Sequence, residues 1–256
     1  MILEIMELTI TPLGRRRNLR VYLPPGYHKN DRRYPVLYMF DGQNVFKDED
    51  ARFGMSWKMG EALEAEGIEM IVAALDSHPD GTVRLNEYGP WENREIAKDL
   101  GASEEVCGGE GKMLAEYVVH ELKPVIDQSY RTIKENSSIA GSSMGGLIST
   151  YAACIYPQVF KRAASFSSAY WFNQKEIESL IQKCDLHPIE KFYMDVGTEE
   201  RSGEISEETY IKSSESVYAL IKDKVKDCRF DIIEGAVHNE LAWSKRLPAV
   251  LRYLYL

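Results

Sequence analysis

The stretch Ser137–Pro157, SSIAGSSMGGLISTYAACIYP, passes from a short β-like run through serine and glycine into a run with the composition of a packed helix. Gly141-Ser142-Ser143-Met144-Gly145 fits the pattern G-x-S-x-G with Ser143 at its centre, and Gly146 follows. The pattern has a steric cause. A nucleophile on a sharp strand-to-helix turn takes a strained backbone, so the residues two before and two after it must lack bulk. Such a turn lifts the serine hydroxyl above the sheet and aims the next helix's N-terminus at a developing oxyanion. The pentapeptide alone is common, and a plain Ser/Gly turn would also produce it. Its setting, strand before and small-residue helix after, favours Ser143 as a nucleophile and the Met144 amide as an oxyanion donor.

Outward from this stretch, β-like and helix-like runs alternate. NLRVYLP, YPVLYMF and EMIVAAL read as strands upstream, with WKMGEALEAEG as an amphipathic helix between the last two. EMIVAAL is almost wholly apolar, as in a sheet buried on both faces. EGKMLAEYVVHELKPVIDQSY reads as a long helix broken or kinked near Pro124. Downstream, RAASFSS, KFYMDVG and CRFDIIEG read as strands separated by helices, and NELAWSKRLPAVLRYLYL as a closing helix. This order predicts an α/β fold, with a mostly parallel central sheet and helices on both faces. The first strands lack intervening helices, so that edge should be antiparallel. Without a repeat or a linker-like tract, residues 1–256 are expected to form a single domain.

A serine nucleophile needs a base. Of the five histidines, His120 lies inside the long helix, His28 in an early turn, and His78 and His187 each before a proline. His238 follows the last strand in EGAVHNELAW, where the chain order Ser, acid, His puts the base of an α/β-hydrolase. The acid should follow a strand between them, and KFYMDVGTEERSG supplies Asp195, Glu199 and Glu200. A second oxyanion amide should come from the loop after an early central strand, where Asp41-Gly42-Gln43 ends YPVLYMF. Gly42 lets that backbone turn inward, which selects the Gln43 amide, while Asp41 is expected to fix the loop. Trp171, just beyond a strand's C-terminal end, is the expected pocket wall among four tryptophans. Arg84 and Glu87, in RLNEYGPW, are expected on a loop overhanging the site, paired with each other or touching substrate.

Composition narrows the function. A net charge of −9 argues against a nucleic-acid partner. The one basic cluster, Arg15-Arg16-Arg17, reads as a solvated hairpin tip. No apolar run reaches the roughly 18 residues that span a bilayer, and MILEIMELTI carries acids unlike a signal peptide. Cys107, Cys154, Cys184 and Cys228 form no CxxC pair, so neither zinc nor disulfides are expected and a reducing cytoplasm fits. VCGGEGKM fails as a P-loop, because Val106 stands for its first Gly and Met113 for its Ser or Thr. No cofactor is expected, and a homo-oligomer is left open.

As a set and in order, YLPPGY, YMFDGQNVF, RLNEYGPW, AGSSMGGLIS, YMDVGTEE and GAVHNELAW resemble the putative-esterase family of α/β-hydrolases over nearly the whole chain. That family includes esterase D, feruloyl and acetyl xylan esterases, the mycolyltransferase antigens and enterobactin-type siderophore esterases. The resemblance implies an α/β-hydrolase fold, and no large lid insertion is visible. It implies a serine carboxylesterase without metal, with Ser143 as nucleophile, His238 as base, Glu200 as triad acid and Gln43 as oxyanion amide. Ser142 stands where the esterase D branch usually has His, which points away from a formylglutathione substrate. The expected substrate is a small soluble ester, short-acyl or carbohydrate-linked. A siderophore trilactone hydrolase, an acyltransferase and a non-catalytic binding protein are the alternatives.

Overall fold

The computed structural model describes residues 1–99 and 106–256. Its strands are β1 (Ile2–Ile10), β2 (Arg15–Leu23), β3 (Tyr34–Phe40), β4 (Ile71–Leu75), the short pair β5 (Glu92–Asn93) and β6 (Cys107–Gly108), then β7 (Thr132–Ser142), β8 (Phe160–Phe166), β9 (Lys191–Gly197) and β10 (Asp227–Ile233). The main sheet has eight strands in the order β1-β2-β4-β3-β7-β8-β9-β10. From β4 to β10 every pairing is parallel, whereas β1–β2 and β2–β4 are antiparallel. The expected antiparallel edge is therefore present. β1 itself has no counterpart among the strands read from the sequence, because acids break up its apolar run. All five residues of β4 are buried, which accounts for their uninterrupted apolar character.

The helices are α1 (Met59–Glu66), α2 (Gly81–Tyr88), α3 (Arg94–Asp99), α4 (Gly111–Tyr117), α5 (Lys123–Ser129), α6 (Met144–Ile155), α7 (Gln174–Lys183), α8 (Glu207–Ile221) and α9 (Glu240–Tyr255). One core face gathers Leu114, Ile126, Leu147, Ile181 and Val217 from α4 to α8. The other gathers Leu63 of α1 with Leu247, Leu251 and Leu254 of α9. The sheet thus has helices on both sides. Between α4 and α5 the expected break is a wide turn over Val118–Leu122, where Lys123 N–H reaches back to the Val118 carbonyl. Pro124 follows at once; lacking an N–H, it cannot extend the regular ladder.

Two readings need correction. Arg84 and Glu87 lie on α2, not on a loop, because the Asp80 side chain accepts from Thr82 N–H at 2.8 Å and starts a helix there. Of the arginine triplet only Arg16 is exposed, and it lies on β2 opposite Thr9, not at the hairpin tip. Arg15 and Arg17 fold back onto Glu87, and Arg15 also pairs with Glu110.

Candidate active site

The parallel strands all end on one edge, and the chain segments just beyond those ends build the site. β7 runs directly into α6 through Ser143, whose φ of 56° and ψ of −125° are a strained conformation for a residue with a Cβ. A Cβ on Gly141 would run into the Gly145 carbonyl, so glycine is required there by sterics. Met144 is the first residue of α6, and an N–H in that position has no intrahelical acceptor.

The loop after β3 comes up beside this turn. Asp41 adopts φ 57°, and a side chain on Gly42 would collide with the Ala74 carbonyl of β4. Arg84 grips Asp41 with two bonds of 2.7 Å, and the Asp41 N–H donates to the Tyr88 hydroxyl at 3.1 Å. The Gln43 side chain exchanges two hydrogen bonds with Ser77, at 2.9 and 3.0 Å. Asn44 donates to Glu240 at the start of α9, at 2.8 Å. With its side chains held on three sides, the loop keeps a fixed backbone at Gln43.

His238 lies between β10 and α9, and its Nδ1 is 3.1 Å from Oε2 of Glu200. Glu200 is fully buried. Its other oxygen accepts from Gly197 N–H at 2.7 Å and from the Ser167 hydroxyl. The Ser167 oxygen in turn accepts from Trp243 Nε1 at 2.8 Å and from Arg246 at 2.9 Å, which leaves its own proton for Glu200. Of the other two acidic candidates, Glu199 is exposed. Asp195 is buried in β9, takes the Ser167 N–H and the Tyr193 hydroxyl at 3.1 Å each, and pairs with Arg246 at 3.0 Å. Burial pushes the Asp195 carboxyl up to about 7 against the pull of Arg246.

Ser143, His238, Gln43 and Arg84 line one cavity of about 350 Å³, together with Ser202 and Trp243. Trp171, the expected wall, does not line it. The tight turn Tyr170–Asn173 tips its indole onto Tyr210 of α8, with ring centroids 5.8 Å apart, and Trp243 takes the cavity-facing place. Glu87 is 1% exposed and held by Arg15 and Arg17, away from the cavity, so the expected Arg84–Glu87 pair does not form. Ser167, Arg246, Asn44 and Glu240 were not among the residues singled out from sequence. Their one sequence signal is position, since each lies just beyond a strand end or on the helix that follows the histidine.

Among the described residues no helix is long and apolar enough to cross a membrane. The model of the family described as "Putative esterase" matches residues 10–254. A Bacillus subtilis (strain 168) protein described as uncharacterized protein YbbA is 26% identical over 246 residues, 93% of this chain and 92% of its own length. Among solved structures, a ferulic acid esterase superposes with a TM-score of 0.72 at 17% identity, over 98% of this chain and 97% of that one. The siderophore hydrolase EstA from Aspergillus nidulans superposes with a TM-score of 0.73 at 15% identity, over 98% of this chain and 94% of that one. The fold is that of the α/β-hydrolases, and the chain belongs to the putative-esterase family, enzymes of ester hydrolysis.

Proposed function

We propose that residues 1–256 form a one-domain serine carboxylesterase in which Ser143, His238 and Glu200 are the triad and the Gln43 and Met144 amides the oxyanion hole. The observation that carries this reading is the 3.1 Å contact of His238 Nδ1 with Glu200, in the cavity that the strained Ser143 also lines. A carboxylate only accepts, so Nδ1 carries the proton and Nε2 is left free to take one. His238 then removes the Ser143 proton as the oxygen attacks the ester carbonyl, and the two amides hold the oxyanion. The same imidazolium protonates the departing alcohol. Water repeats the sequence on the acyl-enzyme and frees the acid.

A fluorophosphonate should label the wild type and leave Ser143→Ala untouched, with hydrolysis by the variant reduced about ten-thousandfold or more. Equal labelling of the two proteins would sink the reading.

The polar lining of the cavity, with Asn44, Arg84, Ser202 and Asn239, supports a short acyl group and a polar alcohol, such as a sugar. Aryl esters with graded acyl chains, run beside acetylated and feruloylated sugars, test this; faster turnover of C12 than of C2 or C4 would overturn it. A second reading, hydrolysis of a siderophore trilactone, is supported by an adjoining cavity of about 430 Å³ that shares Gln43, Arg52 and Ser77 with the first. The Aspergillus neighbour is named a siderophore hydrolase. Cleavage of a triscatecholate lactone without cleavage of short aryl esters would select it.

A further inference from the structure

Tyr210, in the first turn of α8, is fully buried, yet its hydroxyl has no aligned hydrogen-bond partner. An unpaired buried hydroxyl is destabilising and calls for a reason. Its ring lies 5.0 Å from the His238 ring and 5.8 Å, edge-on, from Trp171. Its oxygen is near enough to the Trp171 indole, Ser202 and Ser143 to feel each of them, while burial pushes its pKa up to about 12. The phenol therefore keeps its proton at neutral pH. The Trp171 Nε1 is likewise buried without an aligned partner.

The donor inventory gives this cluster a direction. An indole N–H can only donate, so toward Tyr210 it can only point at the phenol oxygen. That leaves the phenol proton for a neighbouring oxygen. In the proposed mechanism the proton of Ser143 goes to His238, so Ser143 Oγ faces Tyr210 with lone pairs free.

We infer that Tyr210 donates a hydrogen bond to Ser143 Oγ, with Trp171 fixing the direction of that bond, and that its effect falls on breakdown of the acyl-enzyme. The inference rests on the reading of Ser143 as nucleophile. In deacylation, water adds to the acyl carbon and gives a proton to His238. The bond from that carbon to Oγ then breaks, the electron pair goes to Oγ, and His238 returns the proton to it. A phenol donor at Oγ stabilises the charge gathering there as the serine leaves. In attack on the ester the same bond holds the oxygen's lone pairs back, so acylation gains little. Bonds that are poorly aligned in the free enzyme commonly tighten along the reaction.

The test is Tyr210→Phe with p-nitrophenyl acetate, followed through the pre-steady-state burst and the steady state. The expected result is a kcat lower by about tenfold, less than the hundredfold or more that follows loss of an oxyanion-hole donor. KM should fall in parallel, kcat/KM should stay within about threefold, and acyl-enzyme should accumulate. Trp171→Phe should show the same split more weakly, and the double variant should be no worse than Tyr210→Phe alone. The Tm of Tyr210→Phe should be unchanged or higher, because an unpaired hydroxyl has been removed. Wild-type kcat and KM in Tyr210→Phe would overturn the inference, as would equal losses of kcat and kcat/KM with a lower Tm. If the wild type fails to form an acyl-enzyme at Ser143, the esterase mechanism falls with it; if it forms one and Tyr210→Phe behaves as wild type, only the role of Tyr210 is lost.

Discussion

Replacing Glu200 by Gln changes no heavy-atom shape, and the surroundings of Glu200 dictate which way the new amide must face. Oε1 receives the Gly197 N–H at 2.7 Å and the Ser167 hydroxyl. That hydroxyl cannot reverse, because Trp243 and Arg246 already donate to the Ser167 oxygen at 2.8 and 2.9 Å. The amide oxygen is therefore locked on the Gly197–Ser167 side. Its NH2 then meets His238 Nδ1 across the 3.1 Å contact, which turns Nδ1 into an acceptor and moves the ring proton to Nε2. In that tautomer the imidazole cannot accept the Ser143 proton. The negative charge that stabilises the imidazolium is lost as well. The equivalent Asp-to-Asn change in a serine protease costs about 10⁴ in kcat, which is about 5 kcal/mol of transition-state stabilisation. We expect a loss of that size for Glu200→Gln on p-nitrophenyl acetate, with a melting curve like that of the wild type. Glu199→Gln, on an exposed side chain, should stay within a few-fold of wild type. A Glu200→Gln protein that is folded and keeps more than a tenth of wild-type kcat would refute the reasoning.

Gly141→Ala should reduce kcat by about a hundredfold or more, because its Cβ meets the Gly145 backbone and the turn carrying Ser143 must move, and a displacement of about 1 Å is enough for such a loss. Near-wild-type turnover would show that the turn tolerates a methyl group. Asp195→Asn should lower stability while leaving measurable turnover, since Asp195 pairs with Arg246 and does not touch His238; abolished activity in a folded variant would make Asp195 part of the machinery. The same variant tests a pH effect. The folded carboxyl keeps its proton up to about 7, whereas an unfolded one gives it up near 4. Its contribution to stability is full below that lower value and is lost as pH rises through 7, with a slope of at most about 1.4 kcal/mol per pH unit. Thermal melts from pH 4 to 7 should show the stability of the wild type relative to Asp195→Asn falling as pH rises, because Asp76, Glu87 and Glu240, whose carboxyls burial also pushes up, titrate alike in both.

The turn at Ser143 was legible because its requirement is local: three glycines and a serine are spaced by the sterics of one strand-to-helix junction. The place of His238, after the last strand and on the cavity that Ser143 lines, was legible through chain order. Which acid lies beside His238 was not readable from residues alone. Asp195, Glu199 and Glu200 stand within six positions of one another, and what separates them is tertiary: Glu200 reaches His238, Asp195 is held in β9 against Arg246, and Glu199 is exposed. Arg84 and Glu87 were misplaced for a related reason. Gly81 and the polar residues after it look like a loop, and only the Asp80 cap makes a helix of them. Each then finds its partner far away in sequence, Arg84 at Asp41 and Glu87 at Arg17, so the neighbourly pair suggested by their spacing has nothing left to bind it.

The arrangement around Arg246 also gives the strand-borne aspartate a use. Asp195 and Glu200 are both buried, at 1% and 0% exposure. One guanidinium faces both, with Nε 3.0 Å from Asp195 and a terminal nitrogen 4.0 Å from Glu200. Two carboxylates against one cation would leave an uncompensated charge in a dry interior, which costs more than taking up a proton. The proton belongs on Asp195. Burial raises its pKa to about 7, and the charge of Glu200 pushes in the same direction. Glu200, by contrast, is met by donors from Gly197, Ser167 and His238, and all of them need its oxygens as acceptors. A carboxylic acid proton placed there would face a donor whichever oxygen it chose, whereas Asp195 Oδ2 faces the Tyr193 hydroxyl, which can turn its own proton to Asp231 at 3.2 Å and accept one from Asp195. Protonation of the pair is thereby directed to the strand, and the acceptor that His238 needs is left in place beside it.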